Sequence, residues 1–140
     1  MKKFLLVFLI VLALASCKLL FPTMMSDIVY NHTWYGMREN DNDSKFGWKI
    51  NGDGESAYLR LYDVGDNSWS DAMEVKVSTE TDEEKNMTIK YAFASDPEEF
   101  IYLELIYVSD SAFDLEDDDG IIHFFLDRNK AGISRAFPEL

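Results

Sequence analysis

Residues 72–108 read AMEVKVSTETDEEKNMTIKYAFASDPEEFIYLELIYV, and the fold class follows from this segment. Apolar and polar side chains alternate along three runs in it, Ala72–Ser78, Met87–Ala94 and Ile101–Val108. Such alternation places the apolar side chains on one face of an extended chain, as in a β-strand with one buried face. Short polar links separate the runs. The segment therefore predicts three consecutive antiparallel strands.

The same pattern continues on both sides of this segment. Five further alternating runs are Trp34–Glu39, Lys45–Asn51, Ala57–Asp63, Ala112–Leu115 and Ile121–Asp127. Links rich in Asn, Asp and Gly separate them, and no segment after residue 32 has a long 3.6-residue period. We therefore expect an all-β domain over residues 32–140, an antiparallel meander of about eight strands. Closure into an up-and-down barrel would remove exposed sheet edges, and a two-sheet β-sandwich is the alternative.

Residues 1–16, MKKFLLVFLIVLALAS, have the organisation of a secretory signal peptide. Two lysines precede the apolar run Phe4–Leu14, which is too short to cross a hydrocarbon core of about 30 Å as a helix. The run leads into Leu-Ala-Ser-Cys, residues 14–17, which resembles the lipobox of bacterial lipoproteins. The resemblance implies cleavage between Ser16 and Cys17. It also implies a diacylglycerol on the Cys17 thiol and, usually, a fatty acyl chain such as palmitate on the freed amine.

This resemblance also implies a location. Two or three acyl chains would hold the mature chain stably at a membrane, so we expect a bacterial cell-envelope protein anchored through Cys17. Lys18 stands where an aspartate resembles an inner-membrane retention signal in enterobacterial-type sorting, so the outer membrane is favoured if the organism has one. Residues 17–31 are expected to form the lipidated tether. They form either a short helical turn that rests on the domain or on lipid, or a disordered spacer.

The charge balance excludes some partners. The chain has 13 Lys and Arg against 26 Asp and Glu, a net charge of −13 at pH 7. Phosphate groups would repel such a chain, so nucleic acid is not an expected partner. Cys17 is the single cysteine, which excludes an internal disulfide and, once lipidated, a redox or nucleophilic role.

No motif predicts catalysis or a metal centre. The sequence has no Gly-x-Ser-x-Gly nucleophile elbow and no glycine-rich phosphate loop. Its two histidines lack the spacing of zinc ligands. Residues 41–44, Asp-Asn-Asp-Ser, begin like a calcium loop, but the third oxygen ligand and the glycine are missing. We therefore expect no enzymatic activity, no cofactor and no metal.

Three segments resemble the lipocalin-like lipoproteins of bacteria, which belong to the calycin barrels. His32–Gly36 is similar to their first strand, with a tryptophan after a short leader. Phe46–Gly54 is similar to their aromatic second strand and its polar glycine turn, and Ser95–Leu105 to a later hairpin. The resemblance covers roughly residues 34–128. It implies a barrel that holds a small apolar ligand, or a barrel whose ligand site is filled.

Aromatic side chains define two candidate surfaces. Six lie on faces that should turn inward, where they would line a ligand cavity or fill the core: Trp34, Phe46, Trp48, Tyr91, Phe93 and Tyr107. Four lie on the opposite faces and, if exposed together, would form a surface for a protein partner: Tyr58, Tyr62, Tyr102 and Phe125. The first surface predicts a lipoprotein that binds a small apolar ligand. The second predicts a protein-binding or inhibitor lipoprotein, or a structural component of an envelope complex.

Overall fold

The structure is a computed structural model that describes residues 23–139. The predicted signal peptide, Ser16 and Cys17 lie outside the described residues. The described part begins with one short helix, α1 (Met25–Val29). Nine strands follow: β1 (Thr33–Arg38), β2 (Lys45–Ile50), β3 (Ser56–Asp63), β4 (Ser68–Trp69), β5 (Met73–Asp82), β6 (Asn86–Phe93), β7 (Ile101–Ser109), β8 (Ala112–Asp117) and β9 (Gly120–Phe125).

Eight of these strands form a closed antiparallel barrel. From β1 to β3 and from β5 to β9 each strand pairs with the next, β3 pairs with β5, and β9 returns to pair with β1. The two-residue strand β4 pairs only with the end of β3. The prediction of an up-and-down barrel is confirmed, and the closure excludes the sandwich alternative. The barrel and the helix that packs on it lie entirely within residues 24–139, so this part of the chain contains its own core.

The alternating runs of the sequence correspond to the eight barrel strands, and most of the predicted bounds lie within two residues of the structure. The exception is β5, which continues to Asp82, four residues beyond the predicted end at Ser78. Its pairing with β6 shifts register between Thr79 and Thr81. The end of β5 is polar and largely exposed, so the apolar alternation that marks a strand is absent there.

Aromatic rings fill the barrel near the beginning of β1. Trp34 and Phe113 are fully buried, and their ring centroids are 4.7 Å apart. Phe113 also stacks on Phe124 at 4.9 Å. Gly36 makes room for this cluster, because a Cβ there would lie 2.7 Å from Cε1 of Phe124. Rings at these distances interact favourably beyond the apolar area that they bury.

Helix α1 closes this same end of the barrel. Met25 and Val29 are fully buried in the barrel core. The Met25 N–H donates to the Glu83 carbonyl at 2.9 Å, and Trp34 Nε1 donates to the Val29 carbonyl at 2.9 Å. Met25–Val29, in the second half of the predicted tether, thus forms a short helix that rests on the barrel.

The outer wall of the barrel is partly covered by residues 127–138, here named the C-terminal strap. Its Ile133 is buried against Tyr62, which is only 4% exposed. Its Phe137 lies over β2 at Gly47, where a Cβ would overlap the Phe137 ring. The strap has no regular secondary structure, and the alternation in the sequence did not predict it.

Candidate functional site

A cavity of about 220 Å³ lies inside the barrel. Each of the eight barrel strands contributes at least one lining side chain, and most of these are apolar, including Trp48, Leu59, Val77, Leu103, Leu115 and Ile122. The alternation of the strands explains this composition, since every second side chain points inward. An apolar cavity of roughly 150 Å³ is large enough to hold benzene. The cavity therefore has room for one small apolar molecule.

Aromatic side chains form the floor of the cavity. Trp48 and Phe124 line it, and their ring centroids are 5.5 Å apart. Both rings pack on the fully buried Phe113, at 6.0 Å and 4.9 Å between centroids. Trp34 and α1 lie beyond this layer, so the end of the barrel below the floor is filled. A ligand would enter from the opposite end, which we name the mouth.

Two charged side chains meet at the mouth. Arg38 is the last residue of β1 and Asp117 the last residue of β8, and both line the cavity. The Arg38 guanidinium donates two parallel hydrogen bonds of 2.8 Å to the two Asp117 carboxylate oxygens. This bidentate geometry is the strong form of an ion pair. The two side chains are 18% and 28% exposed, so the pair lies between cavity and solvent.

The ion pair and burial together determine the protonation states at the mouth. The hydrogen bond from Arg38 lowers the pKa of Asp117 below its usual value, so its carboxylate is ionised at neutral pH. Burial raises the pKa of Tyr91, and the negative charge of Asp117 raises it further. Tyr91 is therefore a neutral phenol. The mouth thus combines a cation, an anion and a neutral hydroxyl at the edge of an apolar cavity.

The six aromatic residues predicted to face inward divide along the barrel axis. Phe46, Trp48 and Tyr91 line the cavity. Trp34 is fully buried beneath the floor. Phe93 and Tyr107 are partly buried against the core and do not line the cavity, and the Tyr107 hydroxyl donates to Asp110 at 2.9 Å. A period of two identifies the face of a strand but not the height of a residue in the barrel, so the pattern could not separate these groups.

Arg38 and Asp117 were not predicted as site residues, although the sequence contained a signal for both. Arg38 follows Trp34 and Gly36 on the inward face of β1, and Asp117 follows Leu115 on the inward face of β8. A charged residue at the end of an apolar face marks the point where that face reaches solvent. The opposite charges of Arg38 and Asp117, at the ends of two inward faces, were compatible with an ion pair at the mouth.

The four aromatic residues predicted to face outward do not form one exposed surface. Tyr102 is 61% exposed, but Tyr62 is buried beneath the C-terminal strap. Phe125 packs against the same buried cluster, and Tyr58 is half-buried. The strap covers Tyr62 and Phe125 together, and the alternation in the sequence contained no sign of it.

A larger groove of about 830 Å³ lies at the rim of the barrel, between the β1–β2 loop and the β3–β4 hairpin, and it shares Phe46 with the barrel cavity. Leu61 and Trp69 line it together with polar side chains that include Asp43 and Asp63. Its lining is more polar than that of the barrel cavity. For an apolar ligand the barrel cavity is the better candidate, since ligand sites are mostly apolar with few polar groups.

Among residues 23–139, no three His, Cys, Asp or Glu side chains are grouped so that they could hold a metal ion. No helix in the same part of the chain has the length and apolar character needed to cross a membrane. No protein-family model, curated protein or solved structure matches the chain.

Proposed function

We propose that this protein is a lipid-anchored lipoprotein of the bacterial envelope whose barrel binds a small apolar molecule without catalysis. The barrel cavity of about 220 Å³ is the observation that carries the proposal. Its walls are apolar, its floor is closed by aromatic rings, and its mouth is open beside one ion pair. Transfer of apolar surface from water to such walls contributes about 25 cal/mol per Å².

The lipid anchor is supported by the signal segment and the Leu-Ala-Ser-Cys sequence at residues 14–17. Six residues separate Cys17 from Met24, and the seven Cα–Cα steps of this link span at most about 25 Å. Because α1 packs on the end opposite the mouth, the anchor would hold the helix end of the barrel towards the membrane. The mouth would then face the aqueous side, and the ligand would enter from there.

Cys17→Ser tests the anchor. We expect this variant to accumulate as an unprocessed precursor without lipid, because the thiol is the acceptor of the diacylglycerol. The measurement is the mass of the product and its partition between detergent and aqueous phases. A membrane-bound product of mature size from the Cys17→Ser variant would contradict the lipoprotein assignment.

Toluene tests the cavity, because it is slightly larger than benzene and carries no polar group. We expect saturable binding to the chain from Lys18 to Leu140, followed by NMR shifts of the lining methyl groups. Leu103→Trp should abolish binding, because Leu103 lines the cavity. Val108→Trp is the matched control, since Val108 lies on the same strand and is 54% exposed. Equal binding by both variants would contradict the proposal.

Binding of a protein partner is the second candidate function. It is favoured by β7, which exposes Tyr102, Ile106 and Val108 at 61%, 38% and 54%. A photo-crosslinking residue at position 102 should then give one defined adduct in cells, and the same residue at the exposed Val64 should not. Loss of that adduct at high salt would indicate an acidic surface that captures a cationic protein. Resistance to salt would indicate apolar contact.

A further inference from the structure

The polar groups of the cavity lie together at its mouth. Arg38, Asp117 and Tyr91 line the cavity, and the two charged side chains are held in one bidentate pair. The walls below them are apolar. With a wholly apolar ligand, these groups could form further hydrogen bonds only with water. A ligand with a polar end could hydrogen-bond to them while its apolar body fills the cavity.

A charged end would be poorly accommodated. Arg38 and Asp117 neutralise each other, so a third charge at the mouth would meet no net charge of opposite sign and would lie beside one group of like sign. An anion would also approach Asp41 and Asp119, whose charges act on Arg38. A cation would approach the Arg38 guanidinium itself. Removing either charge from water at the mouth would therefore reduce affinity.

An uncharged hydroxyl or amide fits the same groups. A guanidinium has five N–H donors and a carboxylate about four acceptor sites, so both can bind further partners while they remain paired. A hydroxyl can accept from Arg38, donate to Asp117 and exchange a hydrogen bond with the Tyr91 phenol. We propose that the ligand is a neutral amphiphile whose hydroxyl or amide end lies against Arg38, Asp117 and Tyr91. This inference rests on the proposed ligand-binding function.

Three probes with the same apolar chain test the inference: octanol, octanoate and octylammonium. Each is titrated at neutral pH into the chain from Lys18 to Leu140, with calorimetry and tryptophan fluorescence as readouts, since Trp48 lines the cavity. We expect octanol to bind at least tenfold more tightly than either charged probe. Equal or tighter binding of octanoate or octylammonium would overturn the inference.

Asp117→Asn provides a sharper test of the same groups. It leaves Arg38 without its anion, so octanoate should bind at least tenfold more tightly than to the original chain. Asp114→Asn is the matched control, because Asp114 lies on the opposite face of β8 and pairs with His123. Unchanged octanoate affinity in a folded Asp117→Asn variant would overturn the inference. If circular dichroism shows this variant unfolded, Arg38→Gln replaces it and should gain affinity for octylammonium.

The two proposals fail in different ways. If no probe binds, the ligand-binding function itself is wrong. If all three bind with equal affinity, the barrel is a ligand site and only the choice of a neutral end is wrong.

Discussion

Met25→Ala tests how the segment before the barrel is held. A five-residue helix is too short to be stable alone, so α1 depends on burying Met25 and Val29 in the core. Met25 is fully buried, and replacing such a methionine by alanine costs about 2–5 kcal/mol. The variant can lose no more free energy than the packing of α1 contributes, because α1 can detach while the barrel stays folded. We therefore expect a loss in the lower part of this range. For a domain of this size, that corresponds to a decrease in Tm of roughly 6–12 °C.

The assay is thermal and urea unfolding of the chain from Lys18 to Leu140. Thr23→Ala is the matched control, because Thr23 is exposed just before the helix and its loss should cost less than about 0.5 kcal/mol. If Met25→Ala is no more destabilising than Thr23→Ala, α1 does not close the barrel as described. The orientation inferred for the anchored protein would then lose its support.

Two further predictions concern the outer wall and the mouth. Gly47→Ala should destabilise the barrel by about 1–3 kcal/mol, because the new methyl group would overlap the Phe137 ring and lie 2.9 Å from the Trp69 ring. In the double variant, Phe137→Ala removes the ring that the new methyl group would overlap, so Gly47→Ala should cost much less there than in the original chain. If the two substitutions have strictly additive effects on the free energy of unfolding in urea, the strap does not lie over Gly47 as described. Folding lowers the pKa of Asp117 below the value of about 3.9 that it has in the unfolded chain, so its carboxylate stabilises the folded protein. This contribution is fully present above the pKa of the unfolded chain and is lost as the pH falls through the lower pKa of the folded protein. Asp117→Asn should therefore destabilise the protein at neutral pH and have little effect in strong acid, and a difference in unfolding free energy that does not change with pH would contradict this.

The alternation of apolar and polar residues was sufficient to predict the barrel strands, because one face of each strand points into the core and the other points outward. In β5, Val75 and Val77 are buried while Glu74 and Lys76 are exposed, as the sequence indicates. The same pattern placed Trp48 and Tyr91 inside. Closure was not encoded in any single strand. It depends on the pairing of β9 with β1, which follows from the number, twist and stagger of all eight strands.

The parts that were not predicted lack a periodic signal. Helix α1 is shorter than two turns, so no 3.6-residue period can be recognised in it. The C-terminal strap is irregular, and its position depends on side-chain fit at places such as Gly47. The ion pair between Arg38 and Asp117 joins strands that are separated by β9, so its partners become neighbours only after the barrel has closed.

Native mass spectrometry tests the central claim, that the barrel cavity is a ligand site, most directly. The chain from Lys18 to Leu140, exported to the envelope and purified without detergent, should carry a small molecule that leaves on denaturation. The molecule should be absent from Leu103→Trp and present on Val108→Trp, because only the first variant fills the cavity. A bare protein mass from the envelope, unchanged after incubation with envelope extract, would contradict the claim and indicate a barrel that is closed to ligands.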